Sequence, residues 1–256
     1  MNKRVGEVRL NNQGCKMMCI GYKNCDDITV QFLDAFGYTK SATWSNFEKG
    51  KIKNPYYPSV YGVGIVGTKY SISSNQIHTK EYDAWNSMLE RSYSNLYKDK
   101  YPTYKDVTCC KEWLMYENFY EWLHSQENFD KWLNGRRWHL DKDILIKGNK
   151  IYSPETCCLI PHNVNELFTK NNKIRGDYPI GVSLNSYKTK LAIRCNDGHG
   201  NCVQLGEVTD SIKGFNIYKN FKESVIKQIA QEEYSKGNIT KQCYDAMTSY
   251  EVEITD

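Results

Sequence analysis

Residues Trp138 to Phe168 read WHLDKDILIKGNKIYSPETCCLIPHNVNELF, and the fold of the whole chain turns on this stretch. A strand-like run from His139 to Ile146 leads into Lys147-Gly148-Asn149, a Gly/Asn turn signal. A second strand-like run, Lys150 to Ile160, contains Ser153-Pro154-Glu155, and a polar, Asn-rich helix start follows from Pro161 to Phe168. The predicted order is strand, turn, strand, short helix. Arg136-Arg137 stands directly before it, a place suited to phosphate contacts, although a solvated loop fits nearly as well.

That order resembles the ββα-metal nuclease site. The wording LDKDIL…GNKIYSPETC…N is also similar to a group of phage proteins described as HNH-type endonucleases of the homing kind, which join this stretch to a sheet-type DNA-binding tail. The resemblance implies phosphodiester hydrolysis. One carboxylate and one Asn or His would bind Mg²⁺ or another divalent cation, which stabilises charge on the scissile phosphate. A general base, normally His, would activate water. Carried over, Asp141 is the metal carboxylate, Asn149 the turn residue that orients the base, and Asn163 or Asn165 the helix ligand, with His162 a further candidate ligand.

The family's Asp-His pair is here Asp141-Lys142. An exposed lysine titrates near ~10.4 and accepts no proton at neutral pH unless strongly buried. Three readings stay open. His139, two residues before Asp141, would share its strand face and could be the base. Asp143 could bind metal or act as a weak base. Or the stretch keeps the fold as a DNA-docking scaffold without chemistry. Each histidine also reads as an ordinary surface imidazole.

Outward from this stretch, residues 77–170 read as a helical subdomain that carries it. Tyr82, Trp85, Met88, Leu89 and Tyr93 follow helical spacing over Thr79 to Tyr93, and Trp113, Tyr116, Phe119, Tyr120 and Leu123 mark a second helix. The helical period makes these rings a core before it makes them a base-stacking surface. The loop from Lys98 to Lys105 is basic and aromatic, and Arg91 fits a phosphate ligand or a surface ion pair equally. Ile72 to Gln76, polar and Ser-rich, reads as a linker.

Residues 1–72 read as a small β-barrel-like module. Cys15 to Tyr22, Ile28 to Phe32, Tyr38 to Trp44 and Val60 to Gly67 are short runs of strand formers. Lys49, Lys51 and Lys53 alternate, which on a strand would place them on one face, as edge protection or phosphate contacts.

Residues 174–256 read as three strands, Ile180 to Leu184, Lys190 to Cys195 and Cys202 to Val208, then a long helix from about Ser211 to Glu233 and a short last helix from Ile239 to Tyr250. The pattern IGVS…YKTKLAIRC…LGEV is similar to the Apetala/ethylene-response type of DNA-binding domain, whose three-stranded antiparallel sheet packs on a helix and lies in the major groove. The resemblance implies DNA contacts at Tyr187, Lys188, Lys190 and Arg194, with Asn185 at the turn and Arg175 just before the sheet. Lys188, Lys190, Ala192 and Arg194 alternate and read as one exposed face. Arginine is scarce here, which favours modest base specificity.

Composition agrees with an α+β globular chain. Its 256 residues are 40% hydrophobic with a net charge of +4, too mild to argue nucleic acid alone. Ten cysteines lack C-x-x-C knuckles, so no structural zinc is expected, and the lack of an apolar leader favours reduced thiols and a cytoplasmic protein; the resemblance implies that it is phage-encoded and works in a bacterial host cell. No run approaches a membrane span. The expected partner is double-stranded DNA and the expected activity a divalent-metal-dependent endonuclease. The alternative is an inactive relative, acting as a transcription regulator or as an inhibitor that binds a host anti-phage defence protein.

Overall fold

Alternation of buried and exposed side chains builds the first sheet. In β2 (Lys16–Asn24) and β3 (Asp27–Phe32), Met17, Cys19, Ile28, Val30 and Phe32 enter one core while their neighbours stay outside. With β1 (Val8–Leu10) and β4 (Thr39–Ala42) they form an antiparallel sheet in sequential order, in register Val8↔Met18↔Gln31↔Thr39. α1 (Trp44–Glu48), capped by the Thr43 side chain, adds Trp44 and Phe47 to that core. The coordinates come from a computed structural model and describe residues 4–169 and 177–256.

Two expectations in this region fail. Lys49, Lys51 and Lys53 share no strand face, because Gly50 at φ +64° ends α1 in a turn and residues 51–54 run without a ladder partner. Val60 to Gly67 is not a strand either. Gly62 and Gly67 take positive φ, and only single bridges form, Val60↔Gly64 and Ile65↔Met115. The expected linker at Ile72 to Gln76 instead starts a small hairpin, β5 (Ser73–Ser74) with β6 (Ile77–His78). Its two turn residues, Asn75 and Gln76, both adopt left-handed φ, as two-residue hairpin turns require.

α2 (Lys80–Tyr93) begins at the Thr79 cap, and the basic-aromatic loop after it coils into α3 (Asn95–Lys100). A two-residue strand, β7 (Thr108–Cys109), and α4 (Tyr116–His124) follow. Trp85, Leu89, Trp113, Tyr116 and Phe119 are fully buried, and the Trp85 indole donates to the Trp113 carbonyl at 2.7 Å. These rings are core residues, as their spacing predicts.

The chain is α+β and divides into two compact units, residues 1–121 and 122–256. The second contains α5 (Phe129–Asn134), β8 (Trp138–Asp141), β9 (Ile151–Tyr152), β10 (Cys158–Pro161) and α6 (His162–Phe168). β8 pairs antiparallel with β10, Asp141 opposite Cys158 and His139 opposite Ile160. The run from Lys150 to Ile160 is therefore not one strand. Pro154, which has no N–H to give a ladder, starts a turn closed by Thr156 N–H on the Ser153 carbonyl at 3.2 Å.

β11 (Val182–Leu184), β12 (Leu191–Asn196) and β13 (Cys202–Val208) make an antiparallel sheet in that order. α7 (Ser211–Ser235) lies on it, and α8 (Lys241–Thr248) follows. Gly181, at φ +77°, lets the Tyr218 ring pass so closely that a Cβ there would sit 2.0 Å from it. The sequence reading separated 77–170 from 174–256, yet Ile144, Ile160 and Val164 share one core cluster with Ile193, Phe215 and Ile229. No described helix is long and apolar enough to cross a membrane.

Candidate nucleic-acid interface

Two imidazoles meet where β8 runs beside the start of α6. His139 Nε2 lies 2.9 Å from His162 Nδ1. His162 Nε2 in turn faces the Glu166 carboxylate, one helical turn on, at 2.9 Å, and also touches the Arg137 guanidinium. These two contacts make opposite demands on one nitrogen. Glu166 needs Nε2 to donate a proton, whereas Arg137 needs it to offer a lone pair. Which ring nitrogen of His162 bears a proton therefore selects its partner.

Arg137 reaches this position from a left-handed backbone, φ +58°, uncommon for a residue with a Cβ. It and Arg136 are exposed, between the end of α5 and the first residue of β8. An open groove of about 420 Å³ runs from these arginines past Pro161, His162, Asn163 and Glu166 to Gly198-His199-Gly200, the turn between β12 and β13. Gly198 has no room for a Cβ, which would lie 2.7 Å from Ile229, so the turn is pinned to α7 beside the groove. His199 faces Glu232 at 3.8 Å. The groove thus gathers two arginines and two histidines from segments far apart in sequence.

The acidic residues of the expected metal centre are engaged elsewhere. The Asp141 carboxylate accepts the backbone N–H groups of Asp143 at 2.7 Å and Ile144 at 2.8 Å, folding the chain back after β8. Burial pushes its carboxyl above the usual value despite those two bonds. Lys142, only 5% exposed, donates to both Asp143 oxygens at 2.8 and 2.7 Å and to the Asn149 carbonyl at 3.2 Å. Asn149 donates back to the carbonyls of Lys142 at 2.8 Å and Ile151 at 2.7 Å. Asp141, Lys142, Asp143 and Asn149 together form a self-satisfied loop.

On α6, Asn163 donates to Glu233 of α7 at 3.2 Å, and Asn165 is half-buried with its carbonyl taking the Thr169 hydroxyl at 3.1 Å. His139 and His162 are the expected site residues brought together. Asp141 and Asn163 have the partners just named. Among the described residues no group of three or more His, Cys, Asp and Glu side chains is placed to hold a metal ion.

On the C-terminal sheet, Asn185 is buried. Its carbonyl oxygen accepts Thr189 N–H at 3.0 Å and Lys190 N–H at 3.4 Å, and its amide donates to Glu207 at 3.3 Å. It shapes the turn that carries Tyr187, 84% exposed, and Lys188, at φ +56°. Lys190 and Arg194 are exposed, but Ala192 between them is covered, with Ser183 and Glu207 opposite it on the flanking strands. The predicted continuous face is therefore interrupted. Arg175 lies outside the described residues. Sequence reasoning missed Glu166 and His199, since nothing local marks a residue whose role comes from a distant turn; only the i, i+4 spacing of His162 and Glu166 was there to be read.

No protein-family model matches the chain, and neither do any curated proteins or solved structures. The site's own chemistry therefore carries the functional argument.

Proposed function

We propose that this is a double-stranded-DNA-binding protein of phage type. Its phosphate contacts come from the Arg136–Arg137 groove, and a second contact comes from the Tyr187–Lys188–Lys190 turn. The observation that carries this reading is the groove itself, where paired guanidinium groups stand beside two imidazoles on an open surface. Arginine is the side chain best suited to phosphate oxygens. The HNH-like stretch then serves chiefly as scaffold, because a buried Lys142 ties down the loop where the family's base would stand. A non-cleaving protein of this kind would act as a transcription regulator or as an inhibitor of host defence.

A divalent-cation-dependent endonuclease is the second reading, favoured by one observation. The His139 and His162 imidazoles lie within hydrogen-bond reach of each other beside the Arg137 guanidinium, a pairing suited to acid–base chemistry. Plasmid nicking with Mg²⁺ or Mn²⁺ separates the two. The primary reading expects DNA binding without nicking. Nicking that His139→Ala abolishes, with binding retained, establishes the endonuclease instead, and loss of salt-dependent DNA affinity at any ionic strength overturns both.

A further inference from the structure

A half-buried lysine stands in the apolar stripe of α7. Phe215, Tyr218, Val225 and Ile229 recur at alternating spacings of three and four, and the position this rhythm leaves between Tyr218 and Val225 is Lys222. Burial holds its ammonium below the ordinary lysine value. Among the described residues it makes no ion pair, and residues 1–3 and 170–176 contain no carboxylate that could supply one. A charge kept half-buried on this face without an ion-pair partner carries a desolvation cost, which an apolar residue of the same size would remove.

Lys222 lines a cavity of about 310 Å³ with Tyr218 and Ile226 from α7, Phe168 from the end of α6, and Arg194 from β12. Two acids, Glu166 and Asp256, also reach the wall, and each has a hydrogen-bonding partner outside the cavity lining. Glu166 is with His162 at 2.9 Å, and Asp256 is with Lys147 at 3.0 Å. The cations of the wall are Lys222 and Arg194, and Tyr218, Phe168, Tyr250 and Ile226 supply aromatic and aliphatic surface beside the polar Thr169 and Asn196.

We propose that this cavity is a binding site for a small organic anion of the nucleoside-monophosphate class, with the phosphate on Lys222 and the planar part against Tyr218 and Phe168. The same chemistry is offered by a free nucleotide or by an unpaired nucleotide turned out of a DNA strand. The site is separate from the phosphate groove, apart from Glu166, which borders both.

The test uses the full chain, with thymidine monophosphate, thymidine, inorganic phosphate, a fully paired duplex and a duplex with one unpaired nucleotide. Binding is followed by calorimetry and by the thermal midpoint. Thymidine monophosphate is expected to bind and raise the midpoint, with thymidine and phosphate each weaker by about tenfold. Lys222→Met is expected to melt above the wild type without ligand, to lose about tenfold in nucleotide affinity, and to keep its affinity for the paired duplex. Tight binding of free nucleotide identifies one source. A preference for the unpaired duplex that Lys222→Met abolishes identifies the other. The proposal is overturned if neither ligand binds, if Lys222→Met binds as well as wild type, or if phosphate matches the nucleotide. Because paired-duplex affinity is read on the same preparations, failure here is distinct from failure of the DNA-binding reading.

Discussion

Lys142 was the residue that most disturbed the resemblance to a nuclease, and its environment explains why a lysine stands there. With the ammonium nearly enclosed and three acceptor atoms around it, it closes the loop between β8 and β9. Lys142→Ala should lower stability by about 2 kcal/mol in urea titration, since a charged hydrogen-bonding group is lost while Asp143 stays half in water. A loss below about 0.5 kcal/mol would contradict the structural role, being what a solvated surface pair gives. Asp141 has the opposite sign. Burial raises its carboxyl, so the folded protein keeps the proton longer than the unfolded chain, and ionisation costs stability as pH rises past ~4. Asp141→Asn keeps an oxygen for the Asp143 and Ile144 N–H groups and removes that cost. The variant should gain stability over wild type between pH 3 and pH 7, as judged from denaturation midpoints. A variant that instead weakens steadily over that range would mean that the carboxylate charge is what the turn needs.

At the scale of elements, α6 is a helix of seven residues, too short to hold its place by propensity. Val164 and Leu167 anchor it in the core, and Asn163 joins it to Glu233 of α7. Burial raises the Glu233 carboxyl, but hydrogen bonds from Asn238, Lys236 and Asn163 outweigh it and hold the group below its ordinary value. A depressed carboxyl contributes stability above its unfolded value near ~4.3, and that contribution is lost as pH falls through the folded value. Glu233→Gln should therefore destabilise by about 1–3 kcal/mol at pH 7 and much less at pH 3, measured by thermal melts across that range. An equal loss at both pH values would show that shape, not charge, joins the two helices.

Elements with a clear period were legible from sequence. α2, α4 and α7 followed their apolar stripes, and β2 and β3 their alternation. What escaped was set by single residues with special backbones. Gly50, Gly62 and Gly67 turned expected strands into turns, and Asn75-Gln76 turned an expected linker into a hairpin. Pro154 split the long run and left β10 alone to pair with β8.

Over the whole molecule, the sequence singled out Arg136, Arg137, His139 and His162 but could not show what they would face. The opposite wall of the groove is the turn at His199, brought there by the sheet and by α7. The chain alone could not show the second role of Asp141 for a related reason. A carboxylate after a strand serves a turn as readily as a metal, and only the positions of the Asp143 and Ile144 N–H groups distinguish the two.

The central claim, that the arginine-lined groove neutralises DNA phosphates, has a direct measure in the salt dependence of duplex affinity. Each phosphate contact contributes about 0.9 to the slope of log affinity against log salt. Arg136→Ala/Arg137→Ala is predicted to reduce that slope by about 2 and to weaken binding similarly for unrelated sequences. A double variant with the slope and affinity of the wild type would contradict the account.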